Sequence, residues 1–406
     1  MSGRRHLFLA LDSAAWGRTS LGVTIAEELR AAGDDCRFVV HSASTPVVAA
    51  AGFPFDELTP HMNGLSRMYI EACIESERPD SVVLCDFHGC ANYFLRRDID
   101  PMFLWAYGVP VLALDIWNSA ETDCDVDLFG EASKPRATGI DRVAGRLVPV
   151  PFGRPTAEAA YRALGTDAPL RPAARAAVRR GLGLDQAPVV LFCTADWQHQ
   201  VQNARGRRLQ HAVPEILWRY LRQIDEQIRL LHVGPAPLSL SVTDDRYLWR
   251  PSLPPETFTD VLGTVDFVLS ANISATTNAR AVAAGVPVIV VQNSYSGDTL
   301  EEIEATAPAP ISPAVRELIA GALPWYSFSL WPLGYRQYLA PLLRDNPYCS
   351  VVEVVEILDE PRFVSTGRQL IFDTSARDGA KDRMSKYVAR VGELPTAGQL
   401  INQYLN

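Results

Sequence analysis

Short apolar runs alternate with helical segments along most of the chain, a pattern that predicts α/β layers built on parallel sheets. His6–Leu11 reads as a first buried strand. The loop Asp12–Arg18 follows, then a helix from about Thr19 to Ala32 that stops at Gly33. Further strands are expected at Cys36–His41, Ser81–Cys85 and Val109–Leu114. Residues 151–185 read as a connector, with Pro151, Pro155, Gly165, Pro169 and Pro172 ahead of a basic helical stretch at 175–180. A second alternating unit starts at Pro188. Its strands are Val189–Cys193, Arg229–Val233, Asp266–Ser270 and Val286–Val291, with helices around Ala212–Gln227 and Thr276–Ala284. From about 311 the chain turns helical and loop-rich. Trp325, Tyr326, Phe328, Trp331, Tyr335 and Tyr338 crowd there, either as packing or as the lining of an apolar substrate site or interdomain wall. A last helix, Ala397–Leu405, closes the chain.

The fold expected from this pattern is two Rossmann-like parallel-sheet domains facing a central cleft, the usual place for a ligand. The expected boundaries are 1–165 for the first domain, 166–185 for a linker and 186–385 for the second domain. Residues 386–406 would form a C-terminal helix packing back across the domains. A length of 406 residues suits two such domains.

Charge narrows the function. With 38 Lys and Arg against 47 Asp and Glu, the formal net charge is −9. That argues against a general binder of nucleic acid or anionic membrane and leaves room for a local basic pocket. Seven cysteines, none at C-x-x-C spacing, support neither a zinc site nor a redox motif. They read as apolar thiols of a reducing, cytoplasmic compartment. The N-terminal apolar run Leu7–Leu11 is too short for a secretory signal, and Asp12 interrupts it. No apolar run reaches the roughly 18 residues of a membrane span.

In open parallel sheets, ligands sit beyond the carboxyl ends of the strands. In the first half those ends deliver Asp12-Ser13, His41-Ser42, Asp86-Phe87-His88-Gly89 and Asp115-Ile116-Trp117-Asn118. Asp12, Asp86, His88 and Asp115 are therefore the candidate catalytic residues, suited to general-base work on a hydroxyl or amine. Each also has a structural reading: Asp12 as a helix cap, Asp86 and His88 as a satisfied pair, Asp115 as a loop acceptor. Asp86, His88 and Asp115 lack any diagnostic metal-ligand spacing, so no metal is assigned.

The most informative segment is 265–291, VDFVLSANISATTNARAVAAGVPVIVV. A buried strand runs into a hydroxyl-rich turn, then a small-residue helix, then Gly285 and Pro287 before another strand. Ser274, Thr276 and Thr277 fall at the helix N-terminus. Free amides, hydroxyls and the positive helix end suit a phosphate there; the plain alternative is a Ser/Thr N-cap.

This segment resembles the donor-site signature of GT-B-fold glycosyltransferases, in both the UDP-glycosyltransferase and the cell-wall N-acetylglucosaminyltransferase families. The match is closest at AAGVPVIV, 283–290. TRP-ARG-PRO of the run 249–258 and the linker RRGLGL at 179–184 agree with it. The resemblance covers most of the chain as architecture and about 250–298 as motif. It implies an acceptor-side first domain, a nucleotide-donor second domain, and sugar transfer to a small-molecule acceptor. An inverting route would follow that needs no metal or further cofactor, because the helix end and an Arg would neutralise the diphosphate; the arginine-rich composition suits a place in natural-product biosynthesis. Carried over, Ser274, Thr276 and Thr277 would face the donor diphosphate. Asn293, Ser296 and Asp298 would reach the sugar, and Thr194 and Arg205 would border the donor. Gly234 would let the backbone approach a base or ribose.

Two positions depart from the family pattern. Arg280 stands where the family has a ribose-binding Glu, and an Arg accepts no hydrogen bond from a ribose hydroxyl. It would pair with a phosphate or point away. The first loop, Asp12–Ser20, lacks the family's histidine base, so the base must be Asp12, His88 or another rim residue. Two rival readings remain on the sequence alone. One is the same fold with other chemistry, such as a nucleotide-sugar epimerase or hydrolase; the other is a non-catalytic partner protein.

Overall fold

The computed structural model describes residues 3–11, 16–62, 64–118, 120–121, 139–163, 172–184, 186–199, 204–241, 244–325 and 343–406. Among the described residues, thirteen strands form two sheets, and every strand pair in both is parallel. The central strands are buried on both faces and need no polar alternation, which is why they read as apolar runs.

The first sheet has seven strands: β1 Arg5–Ala10, β2 Asp35–His41, β3 Phe55–Leu58, β4 Ser81–Leu84, β5 Val111–Leu114, β6 Gly145–Val150 and β7 Ala160–Arg162. Their spatial order is β3-β2-β1-β4-β5-β6-β7. The second has six: β8 Val189–Cys193, β9 Arg229–Val233, β10 Tyr247–Arg250, β11 Phe267–Ser270, β12 Val288–Gln292 and β13 Glu353–Glu356. Their order is β10-β9-β8-β11-β12-β13. In both sheets the first strand lies beside the fourth. The chain progresses outward in opposite directions on either side of that junction. Such a switch point opens a crevice at the carboxyl ends of the two strands. The first crevice lies between β1 and β4, the second between β8 and β11.

The two units are tied together at several places. Asn346 Nδ2 donates to the carbonyl oxygens of Pro151 and Phe152, at 3.1 and 3.3 Å. Ala279, from the helix Thr276–Ala283 of the second unit, packs fully buried in the core cluster of the first. The final helix, Ala397–Leu405, also packs on the first unit. Its Ala397, Leu400 and Ile401 join that same core cluster. Tyr404 Oη donates to the Arg146 carbonyl at 2.9 Å, and Glu28 accepts from the Gly398 amide at 2.9 Å.

Candidate functional site

The helix Trp16–Ala31 begins at the first switch point, and the helix Thr276–Ala283 begins at the second. Their N-termini meet. A Cβ placed on Gly17 would stand 2.8 Å from Thr276 Oγ1. No side chain larger than glycine's fits there without displacing Thr276, so Gly17 lets the two helix ends approach. Two positive helix ends brought close together favour an anion beside them.

The turn before the second helix fixes which amides remain available. Asn272 Oδ1 accepts from the Ser274 amide at 3.0 Å and from its hydroxyl at 2.8 Å. The Asn272 carbonyl accepts from the Ala275 amide and from Asn278 Nδ2. The N-cap is Ala275, and no side chain caps the helix. The Ser/Thr N-cap alternative therefore does not hold. The amides of Thr276 and Thr277 have no hydrogen-bond partner among the described residues. Sequence reasoning singled out the hydroxyls and passed over Asn272, the residue that shapes the turn. The Thr277 side chain is hydrogen-bonded to Cys193 at the end of β8, which draws the two sides of the second crevice together.

Thr194 follows β8 directly and is the hub of a polar chain. Its Oγ1 lies 2.8 Å from His199 Nε2 and 2.8 Å from His232 Nε2. His232 Nδ1 lies 2.9 Å from Tyr247 Oη, which accepts from the Leu238 amide at 2.7 Å. His232 is wholly buried, and burial pushes its pKa down to about 3, so the ring is neutral. Gly234 belongs to this chain. A Cβ there would collide with Thr194 Oγ1 and the His232 ring. Its lack of a side chain thus makes room for Thr194 and His232. The sequence offered one signal of this chain, a histidine inside the apolar strand RLLHV, which requires a buried partner.

The remaining donor-side candidates are dispersed. Arg280 lies with its guanidinium 5.2 Å from the Phe258 ring centroid and donates to Thr259 Oγ1 at 2.5 Å. It faces the helix Pro255–Leu262. Asn293 is fully buried and exchanges hydrogen bonds with the Tyr295 backbone inside its own loop. Ser296 and Asp298 are exposed, and Asp298 precedes the capping box of the helix Leu300–Thr306. Arg205 belongs to the helix Ala204–Ile224, and its side chain lies outside the described residues. So do the aromatic residues Tyr326, Phe328, Trp331, Tyr335 and Tyr338. Trp325 is described and fully buried.

On the first switch point, Asp12 lies outside the described residues. Asp86, at the end of β4, is buried and forms an ion pair with Arg18, Nη1 to Oδ2, at 2.5 Å. Arg18 also lies 5.8 Å from the Trp117 ring centroid. His88 is buried. Burial is the main cause that lowers its pKa, against the carboxylates of Asp86 and Asp115, which raise it. Asp115, after β5, is fully buried; its Oδ2 accepts from the Ala120 amide at 3.4 Å and lies 3.9 Å from Arg146 Nη1. Asp86, His88 and Asp115 are thus brought together electrostatically, with Arg18 paired to Asp86 and Arg146 beside Asp115. Sequence reasoning missed the role of Arg18. Among the described residues, no group of three or more His, Cys, Asp or Glu side chains is arranged to hold a metal ion. No described helix is long and apolar enough to cross a membrane.

A family model described as a family of unknown function, DUF6365, matches residues 25–406. The chain belongs to this family. No curated protein matches it in sequence. Among solved structures, HepE from Anabaena, determined with UDP and glucose, is similar at a TM-score of 0.56 and 12 % identity, covering 99 % of each chain. Spinosyn forosaminyltransferase SpnP is similar at 0.55 and 16 % identity, covering 99 % of this chain and 98 % of that one. Spinosyn rhamnosyltransferase SpnG is similar at 0.53 and 14 %, covering 99 % of each. These likenesses show the GT-B fold, the architecture expected from the sequence.

Proposed function

We propose that this DUF6365 chain is a glycosyltransferase that moves a sugar from a nucleoside-diphosphate donor to a small-molecule acceptor. The observation that carries the reading is the uncapped start of the helix Thr276–Ala283, with two amides at the second switch point that have no partner among the described residues. It faces the start of the helix Trp16–Ala31 across the interdomain contact. Structural similarity to a forosaminyltransferase and a rhamnosyltransferase, and to HepE determined with UDP and glucose, supports the same choice. The Thr276 and Thr277 amides would receive a phosphate, and the helix end would stabilise the charge of the departing nucleoside diphosphate.

His88 is the best base among the described candidates. Burial keeps the imidazole neutral and so ready to take a proton, and the Asp86 and Asp115 carboxylates would stabilise the imidazolium that forms. Asp86 itself is engaged by Arg18 and is less free to act. In an inverting displacement, His88 would remove the acceptor hydroxyl proton as the acceptor oxygen bonds to the anomeric carbon. The carbon–oxygen bond to the diphosphate breaks, and its electron pair stays on the phosphate. The protein is expected to act in the cytoplasm, without a bound cofactor.

The test is release of free nucleoside diphosphate from a panel of UDP- and dTDP-sugars, with and without candidate hydroxylated acceptors. Release that depends on an acceptor supports transfer. Release without one favours hydrolysis. No release and no binding of any nucleotide sugar overturns the reading.

A further inference from the structure

We propose that His199 binds the anionic diphosphate of the donor through its Nδ1–H, with Thr194, His232 and Tyr247 positioning the ring and setting its tautomer. The proposal deepens the donor-site reading and rests on it.

Hydrogen-bond direction carries the argument. Tyr247 Oη already accepts from the Leu238 amide. Its own proton has one acceptor within reach among the described residues, His232 Nδ1 at 2.9 Å. A His232 ring that accepts at Nδ1 and is neutral holds its proton on Nε2. That Nε2–H donates to Thr194 Oγ1 at 2.8 Å. The Thr194 hydroxyl then has one proton to give, and His199 Nε2 stands 2.8 Å away to accept it. His199 therefore holds its proton on Nδ1. Run in this direction, every proton of the chain meets an acceptor; run in reverse, the Tyr247 proton is left without one among the described residues.

His199 sits where such a donor is useful. It follows β8 on the carboxyl edge of the second sheet, beside the switch point, and the preceding Cys193 is bonded to Thr277. The ring is half-buried and lies against His232, with centroids 6.3 Å apart. Its Nδ1 has no hydrogen-bond partner among the described residues, whereas its Nε2 is held by Thr194. A neutral imidazole locked in this way is a fixed donor of one hydrogen bond to a phosphate oxygen. Gly234 is the backbone device that admits the chain, since any side chain there would displace both Thr194 and His232.

The experiment is titration calorimetry with UDP and dTDP, and with uridine and thymidine as phosphate-free controls. In His199→Ala, affinity for the diphosphate should fall about tenfold, as expected for loss of one hydrogen bond to a charged group. Nucleoside affinity should stay unchanged. His199→Asn, whose amide nitrogen takes the place of Nδ1, should bind better than His199→Gln, whose amide takes the place of Nε2. Long-range proton–nitrogen spectra should show His199 protonated on Nδ1. Thr194→Ser should keep that tautomer and Thr194→Val should lose it. Equal diphosphate affinity in wild type and His199→Ala overturns this proposal while leaving the donor-site reading intact. A His199 ring protonated on Nε2 overturns it as well. A wild-type protein that binds neither diphosphate overturns both readings.

Discussion

Arg18 Nη1 lies 2.5 Å from Asp86 Oδ2, and the carboxylate it holds is 2 % exposed. The pair links the first helix to the end of β4 across the first switch point. The second carboxylate oxygen, Oδ1, has no partner among the described residues. Breaking such a buried pair from one side leaves an uncompensated charge. Arg18→Ala should therefore cost about 3–5 kcal/mol of stability in urea denaturation. Asp86→Asn, which removes the charge at nearly the same shape, should cost less. Equal costs would mean the charge is not what the pair holds in place.

Three buried histidines set a pH dependence of stability. Burial lowers the pKa of His6, His88 and His232, the last to about 3. In the unfolded chain each titrates near its ordinary value of about 6.5. Above that pH both states are neutral and stability is full. Below it the unfolded chain takes up protons that the fold refuses, so stability falls. The fall is up to about 1.4 kcal/mol per pH unit for each histidine still neutral in the fold. For His232 the window runs from about 6.5 down to about 3. Urea midpoints measured from pH 7.5 to 5 should decrease steadily, with proton uptake on unfolding. A flat profile would contradict the neutral burial of these rings.

Gly234 is predicted to tolerate no side chain. Gly234→Ala should cost about 1–3 kcal/mol by overpacking against Thr194 and His232. The same variant should shift the imidazole spectra of His199 and His232. Wild-type stability in Gly234→Ala would show that the polar chain has room to spare.

The last helix is predicted to be part of the first unit's core. Ile401 is fully buried there. Ile401→Ala should cost about 2–5 kcal/mol. Thermal unfolding followed by circular dichroism checks this, and a variant as stable as wild type would place the helix outside the core.

The central strands of both sheets were legible because burial on both faces leaves long apolar words: VVLFC and VIVVQ are unmistakable. The flanking strands were not. FDEL, YLWR and EVVE are short, and most of their positions are half-buried or exposed, so no apolar run marks them. At the site, knowing which strands end near each other was enough to gather Asp86, His88 and Asp115. The partners that define their chemistry come from elsewhere in the chain. Arg18 reaches Asp86 over 68 positions, and Thr194 reaches His232 over 38. Gly234 was legible as a close approach, but the approaching group is the protein's own hydroxyl and imidazole. Arg280 keeps the helical register that the donor-site motif implies, yet aromatic Phe258 and the Thr259 hydroxyl occupy its guanidinium.

The central claim is that a nucleoside diphosphate docks at the start of the helix Thr276–Ala283. A crystal structure of the protein with UDP or dTDP tests it most directly. The account predicts phosphate oxygens within hydrogen-bond distance of the Thr276 and Thr277 amides, on the side that faces Gly17. A nucleotide bound elsewhere, with those two amides contacting no phosphate, would contradict it.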